Sequence, residues 1–176
     1  MEITYYLSEE DYLKFNLFHI KNSEPAKQAL KKQRFLGPAI FMTFAAFLSI
    51  VGSRPYQEVM IMFTLLSVLW FIYYPKYFYR YITRNSKTLL KAGNNDDLFG
   101  EHHMVLAEEG IIDTTAQGET KLNWAGIQAI NQDEDNLYLY NSSISAYILP
   151  KRDIDDPKEL KRMLEENTKK ALFQKQ

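Results

Sequence analysis

The chain has no cysteine. Disulfides, thiol chemistry and cysteine-based zinc sites are thereby excluded, and thiol usage gives no reading of redox compartment. Net charge is also nearly absent, at −1, so no overall positive field points to nucleic acid. There is no glycine-rich phosphate loop and no G-x-S-x-G elbow. The first residues, MEITYYLSEEDY, are acidic and lack a basic leader, so they do not read as a cleavable signal peptide. The first apolar helix is therefore expected to serve as its own insertion signal. Two longer stretches, 35–51 and 59–74, contain no charged residue of either sign.

Those two stretches organise the rest of the chain. They hold 17 and 16 residues and are separated by the polar turn 52–58. Roughly 17–25 apolar residues cross a bilayer core as a helix, so both fit at the short end. Lys76 can extend the second by snorkelling. Tyr56 at one end and Trp70, Tyr73, Tyr74, Tyr77 and Tyr79 at the other resemble interfacial aromatic belts. Gly37-Pro38 is expected to permit a bend, and Pro75 to kink or weaken the helix at the membrane exit. The competing reading is a soluble protein that buries the pair as its core. It is disfavoured because the remaining chain is small and has its own patterned elements to bury.

Orientation follows from the flanking bases. Lys27, Lys31, Lys32 and Arg34 precede the first run, and Lys76, Arg80, Arg84, Lys87 and Lys91 follow the second; the turn holds Arg54 alone. Nine against one places both termini in the cytoplasm. The expected location is the cell membrane, as an integral two-span protein.

The flanking segments carry periodic patterns. Glu2–Leu7 alternates like a short strand. Ser8 followed by Glu9, Glu10 and Asp11 reads as a helix start, with an amphipathic helix to about Lys21, and Asn22-Ser23-Glu24-Pro25 restarts one. After the second run, 77–91 continues as a basic helix that Gly93-Asn94-Asn95 ends. Short strands follow at 102–107, 111–115, 119–123, 128–132, 137–140 and 144–149. Strands so closely spaced argue an antiparallel meander or small barrel. Residues 153–156 then cap a last helix, with Leu160, Leu164 and Ala171 inward and Glu165–Lys169 and Glu166–Lys170 as outer pairs. The expected division is 1–34, 35–74, 75–95 and 96–176, with Glu2–Leu7 expected to join the C-terminal sheet.

Three short motifs carry a resemblance: Gly110-Ile111, then Leu122-Asn123-Trp124-Ala125-Gly126-Ile127, then Ile148-Leu149-Pro150-Lys151-Arg152. With the order of elements they make the chain similar to the YcxB-like family of bacterial membrane proteins. The resemblance implies an α+β membrane protein: a two-helix transmembrane hairpin plus a small antiparallel domain like a pleckstrin-homology (PH) domain, closed by a C-terminal helix. Gly110, Trp124 and Pro150 then read as structural positions of the family. It implies no activity to transfer.

Candidate chemistry is thin. His102 and His103 are neighbours in a strand and point to opposite faces, so they cannot share a metal. The acidic run 133–136 lacks the glycine and distal glutamate of a calcium loop. Asn141-Ser142-Ser143 matches a glycosylation sequon that a cytoplasmic placement leaves inert. Trp124 reads as a core plug for one end of the sheet. Lys151 and Arg152 could hold an anionic headgroup. Residues 92–156, however, hold thirteen acids against three bases, a net of −10, so a structural pairing with nearby acids is preferred. Arg80, Arg84 and Lys87 belong to a +5 helix suited to anionic headgroups or to the acidic domain itself. No catalytic residue, metal site or cofactor is expected. The preferred function is a membrane-anchored interaction module that binds a protein partner through its β domain. The alternative is a self-associating hairpin with a transport or channel-accessory role, which the charge-free spans argue against as an ion path.

Overall fold

The computed structural model describes residues 1–52, 55–92 and 98–174. Arg54 and the 93–95 helix stop lie outside them. The described residues form seven strands and four long helices: β1 (Glu2–Leu7), α1 (Glu9–Asn22), α2 (Glu24–Val51), α3 (Tyr56–Ala92), β2 (Gly100–Leu106), β3 (Gly110–Thr115), β4 (Gly118–Asn123), β5 (Ala129–Gln132), β6 (Asn136–Tyr140), β7 (Ala146–Pro150) and α4 (Pro157–Gln174). They divide into two compact units. Met1–Phe18 and Lys87–Gln176 form a β domain, and His19–Ser86 form a helical hairpin. The N-terminal segment is thus not a separate region to residue 34. Its strand and most of its first helix belong with the C-terminal elements, because β1 alternates buried and exposed residues in phase with β2.

The β domain contains two antiparallel sheets, ordered β1-β2-β3-β4 and β5-β6-β7. β1 joins the first sheet as expected, with Ile3 opposite Met104 and Tyr5 opposite His102. The inner faces of β1, β2 and β3 meet Leu137, Leu139, Ile148 and Leu149 of the second sheet in one core, which Leu160 and Leu164 of α4 complete. β6 is buried along its whole length. Tyr138 and Tyr140 are covered by Phe15 of α1, with ring centroids 5.4 and 5.8 Å away, and Phe18 adds a contact to Tyr138 at 4.8 Å. Leu137 and Leu139 take the opposite phase. Four consecutive large side chains, Leu137–Tyr140, all buried, are what a strand covered on both faces requires.

Local chemistry sets the ends of these elements. Ser8 and Asp11 form a capping box: Ser8 Oγ accepts from Asp11 N at 3.3 Å, and Asp11 accepts from Ser8 N at 3.1 Å. Asp156 caps α4, accepting from Lys158 N and Glu159 N at 3.0 Å each. Glu165 and Glu166 pair back one turn to Lys161 and Arg162 rather than forward to Lys169 and Lys170. β7 begins at Ala146 rather than Ile144. Ser142 Oγ accepts from Ile144 N and Ser145 N, which spends those residues on a turn.

In the hairpin unit, α2 and α3 are each long and apolar enough to cross a membrane, and only 11% of each most apolar window is buried. Soluble core helices bury most of that surface; these expose Phe44, Phe47, Ile61, Leu65, Leu69 and Ile72. Ala45, Val59 and Phe63 form their small shared core. Both helices run unbroken through their prolines, Pro38 and Pro75. Gly37 therefore acts as a seat rather than a hinge: a Cβ there would sit 2.3 Å from the Trp70 indole nitrogen. Pro75 has no N–H for the carbonyl four residues earlier, that of Phe71. Arg34 supplies the missing donor, its Nε 3.0 Å from Phe71 O, with the guanidinium 3.8 Å over the Phe71 ring. Trp70 Nε1 also donates to Gln33 O, at 3.3 Å, and Tyr74 O–H to the Gln33 side chain.

Candidate functional site

The β domain contains a cleft of about 680 Å³. Its walls come from β1 (Tyr5, Leu7), α1 (Tyr12, Phe15), the first sheet and the start of β7. Alternation puts His102 on the inward side of β2 beside Met104, and Asp113 on the inward side of β3 beside Ile111. Their side chains meet in the cleft, with His102 Nδ1 2.9 Å from Asp113 Oδ2 and both residues buried. Tyr5 stacks on the His102 ring at 5.0 Å and donates weakly to Asp113 Oδ1 at 3.5 Å. Burial, followed by the Asp113 charge, pushes the Tyr5 hydroxyl well above its usual range, so it stays a neutral donor. His102 Nε2 faces the Leu98 carbonyl at 3.4 Å. Both ring nitrogens therefore face acceptors, an arrangement that holds the imidazole in place and gives a substrate no free ring nitrogen. His103 lies on the other face, exposed, beside Thr4 and Glu2.

A second polar cluster joins the two chain ends. Arg152 grips Asp11 with two parallel bonds, Nη1 to Oδ1 and Nη2 to Oδ2, each 2.8 Å. Its Nη2 also donates to Tyr6 O at 2.7 Å, and Asp153 returns the contact by accepting from Tyr6 N at 3.0 Å. Burial disfavours the Asp11 charge, but the hydrogen bonds from Arg152 and Ser8 outweigh it and hold the carboxyl below its usual range. Lys151 points elsewhere, donating to the Asp133 carbonyl, while its backbone N–H meets Asp135 O at 2.8 Å. The Lys151-Arg152 pair is thus engaged with carboxylate and carbonyl partners of its own domain. Lys14 strengthens the same corner, 2.9 Å from Asp135 and 3.0 Å from Glu10.

The remaining predicted positions fall into two groups. Gly110 lies against β4, where a Cβ would stand 2.2 Å from the Leu122 carbonyl oxygen. Trp124 follows in a single 3₁₀ turn, buried, its Nε1 donating to the carbonyls of Ala107 and Glu108 at 3.1 Å each. Asn123 caps that turn by accepting from Ala125 N at 2.9 Å. Gly110 and Trp124 are therefore two halves of one corner, and Pro150 is a fully buried residue at the end of β7. Arg80, Arg84 and Lys87 are exposed on α3; the first two belong to the hairpin unit and the third to the β domain.

That corner and the β7 end are where the known-protein comparison falls. Residues 106–166 match the model of the YcxB-like protein family. Over that stretch the chain is similar to YcxB-like proteins. The YcxB-like stretch runs from the last residue of β2 into α4 and contains Gly110, Trp124, Pro150, Lys151 and Arg152. It leaves out β1, α1 and most of β2, which contribute Tyr5, Asp11 and His102 to the cleft and the Arg152 cluster. No curated protein and no solved structure matches the chain. The cleft residues are the ones the sequence reading missed. A histidine and an aspartate on the inward phase of two alternating strands were the available signal.

Proposed function

We propose that the protein is a membrane-anchored interaction module: a PH-like β domain tethered by a two-span hairpin, binding a protein partner rather than transforming a substrate. One observation carries the reading. The hairpin is an insertion between β1 and β2, so the chain leaves the β domain after Phe18 and re-enters it at Lys87. A domain whose first two strands must pair needs both ends of the hairpin on one side of the bilayer. That requirement agrees with the nine-to-one distribution of bases, which puts both termini in the cytoplasm. Seven antiparallel strands in two sheets followed by a helix support the PH-like reading. Exposed Arg80 and Arg84 suit anionic headgroups at the cytoplasmic surface.

Site-specific crosslinking in intact cells tests the function. A photoreactive residue is placed in turn at Ile144, which is 74% exposed on the β6–β7 loop, and at Ile61 and Leu65 on the hairpin. One reproducible heteromeric adduct from Ile144 and none from the hairpin positions supports the module. Homomeric adducts from the hairpin alone would replace it with the self-associating hairpin. The cysteine-free chain also permits single cysteines for topology. Ser142→Cys should resist a membrane-impermeant maleimide in intact spheroplasts and react after lysis.

A further inference from the structure

The cleft holds a combination of groups that the fold itself does not require. Its lining carries four aromatic rings, from Tyr5, Tyr12, Phe15 and Tyr147, and two carboxylates, Asp113 and Glu119. Among the described residues its lining contains no lysine and no arginine. Its one basic group, His102, is already turned to Asp113 and to the Leu98 carbonyl. Asn141 also lines the cleft.

These features select by charge. An anionic group entering the cleft meets two carboxylates and, among the described lining residues, no lysine or arginine, with His102 already committed to Asp113, in a segment of net charge −10. A flat cation meets an aromatic wall, where its charge is attracted to ring quadrupoles, and carboxylate oxygens that accept its protons. Glu119 pairs with Lys121, at 3.0 Å and largely in solvent, so that pair is cheaply exchanged for a ligand. The volume, about 680 Å³, lies inside the roughly 300–1,000 Å³ range of small-molecule sites. We propose that this cleft is a binding site for a small organic cation, a guanidinium, amidinium or ammonium group carried on an aromatic or short apolar body. The site stands independently of the protein-partner reading.

Three water-soluble probes of similar shape separate the contributions: phenylguanidinium, neutral phenylurea and anionic benzoate. Each is titrated calorimetrically into the full chain in nanodiscs of uncharged lipid, which removes attraction of the cation to the bilayer. Phenylguanidinium is expected to bind about tenfold tighter than phenylurea, as one cation–π contact plus one charge-assisted bond would give, and benzoate should not bind. Glu119→Gln and Tyr147→Leu, both at the partly exposed rim, should each reduce the preference at least threefold. Glu134→Gln, outside the lining, should leave it unchanged. Equal binding of cation and neutral probe, tighter binding of benzoate, or a preference untouched by both rim variants overturns the assignment. Thermal melts of the variants distinguish a lost site from a lost fold.

Discussion

The contact between Arg34 and Phe71 makes a prediction that a single substitution could not test. Pro75 orphans the Phe71 carbonyl, and Arg34 occupies it from the neighbouring helix. Arg34→Ala leaves a partly buried carbonyl unpaired, which costs about 1–3 kcal/mol. It also removes a guanidinium stacked at 3.8 Å, adding about 0.5–1 kcal/mol. Pro75→Ala restores a backbone N–H four residues beyond Phe71, so in that background only the ring contact remains to be lost. Arg34→Ala should then cost about 0.5–1 kcal/mol, giving a coupling of about 1–3 kcal/mol between two residues that do not bond each other. The assay is a double-mutant cycle on hairpin unfolding, read by steric trapping of the full chain in bicelles. Additivity within about 0.5 kcal/mol would refute the reasoning, because independent sites add to that accuracy.

The other predictions concern the β domain. Arg152→Ala strips a buried carboxylate of its bidentate partner and should cost about 2–3 kcal/mol, visible as faster amide exchange in Glu2–Leu7 before the rest of the domain. Asp11 is held below its usual titration range in the fold, so its contribution is complete above an unfolded value of about 3.9 and is lost as pH falls through the folded one. Asp11→Asn should therefore flatten the acid side of a stability profile measured from about pH 6 to pH 3; an unchanged slope would remove Asp11 as a source of acid sensitivity. Gly110→Ala drives a Cβ into backbone that cannot rotate away and should cost about 1–3 kcal/mol in thermal melts of the full chain; a neutral result would show that β3 and β4 can separate locally.

What the sequence made legible was what rests on local periodicity. Alternation located the strands to within two residues, and the Ser8 and Asp156 caps followed from side chains that bond their own backbone. The hidden features all depend on pairing between distant segments. Nothing near Pro75 says that an arginine 41 positions earlier accepts the task of its missing N–H; as with Tyr74 and Gln33, the partner lies across the hairpin. Arg152 read as a headgroup candidate because charge is visible in sequence while a partner 141 positions away is not. Asp113 and His102 were separately unremarkable. Only the register, which sets Met104 opposite Asp113, turns them to one cleft.

The insertion of the hairpin between β1 and β2 has a consequence for biosynthesis. Thr4 and His103 are hydrogen-bonded neighbours 99 positions apart, so the first strand to leave the ribosome waits for two apolar helices to be made before its partner exists. Closing so long a loop is entropically slow, and the order of synthesis makes it the late step. During that interval Ile3, Tyr5 and Leu7 have no sheet to join, and a chain whose hairpin enters the bilayer only halfway would leave β1 and β2 on opposite sides. If the two helices span a bilayer, the four-stranded sheet can close only after both have crossed and returned, so its completion would report finished insertion.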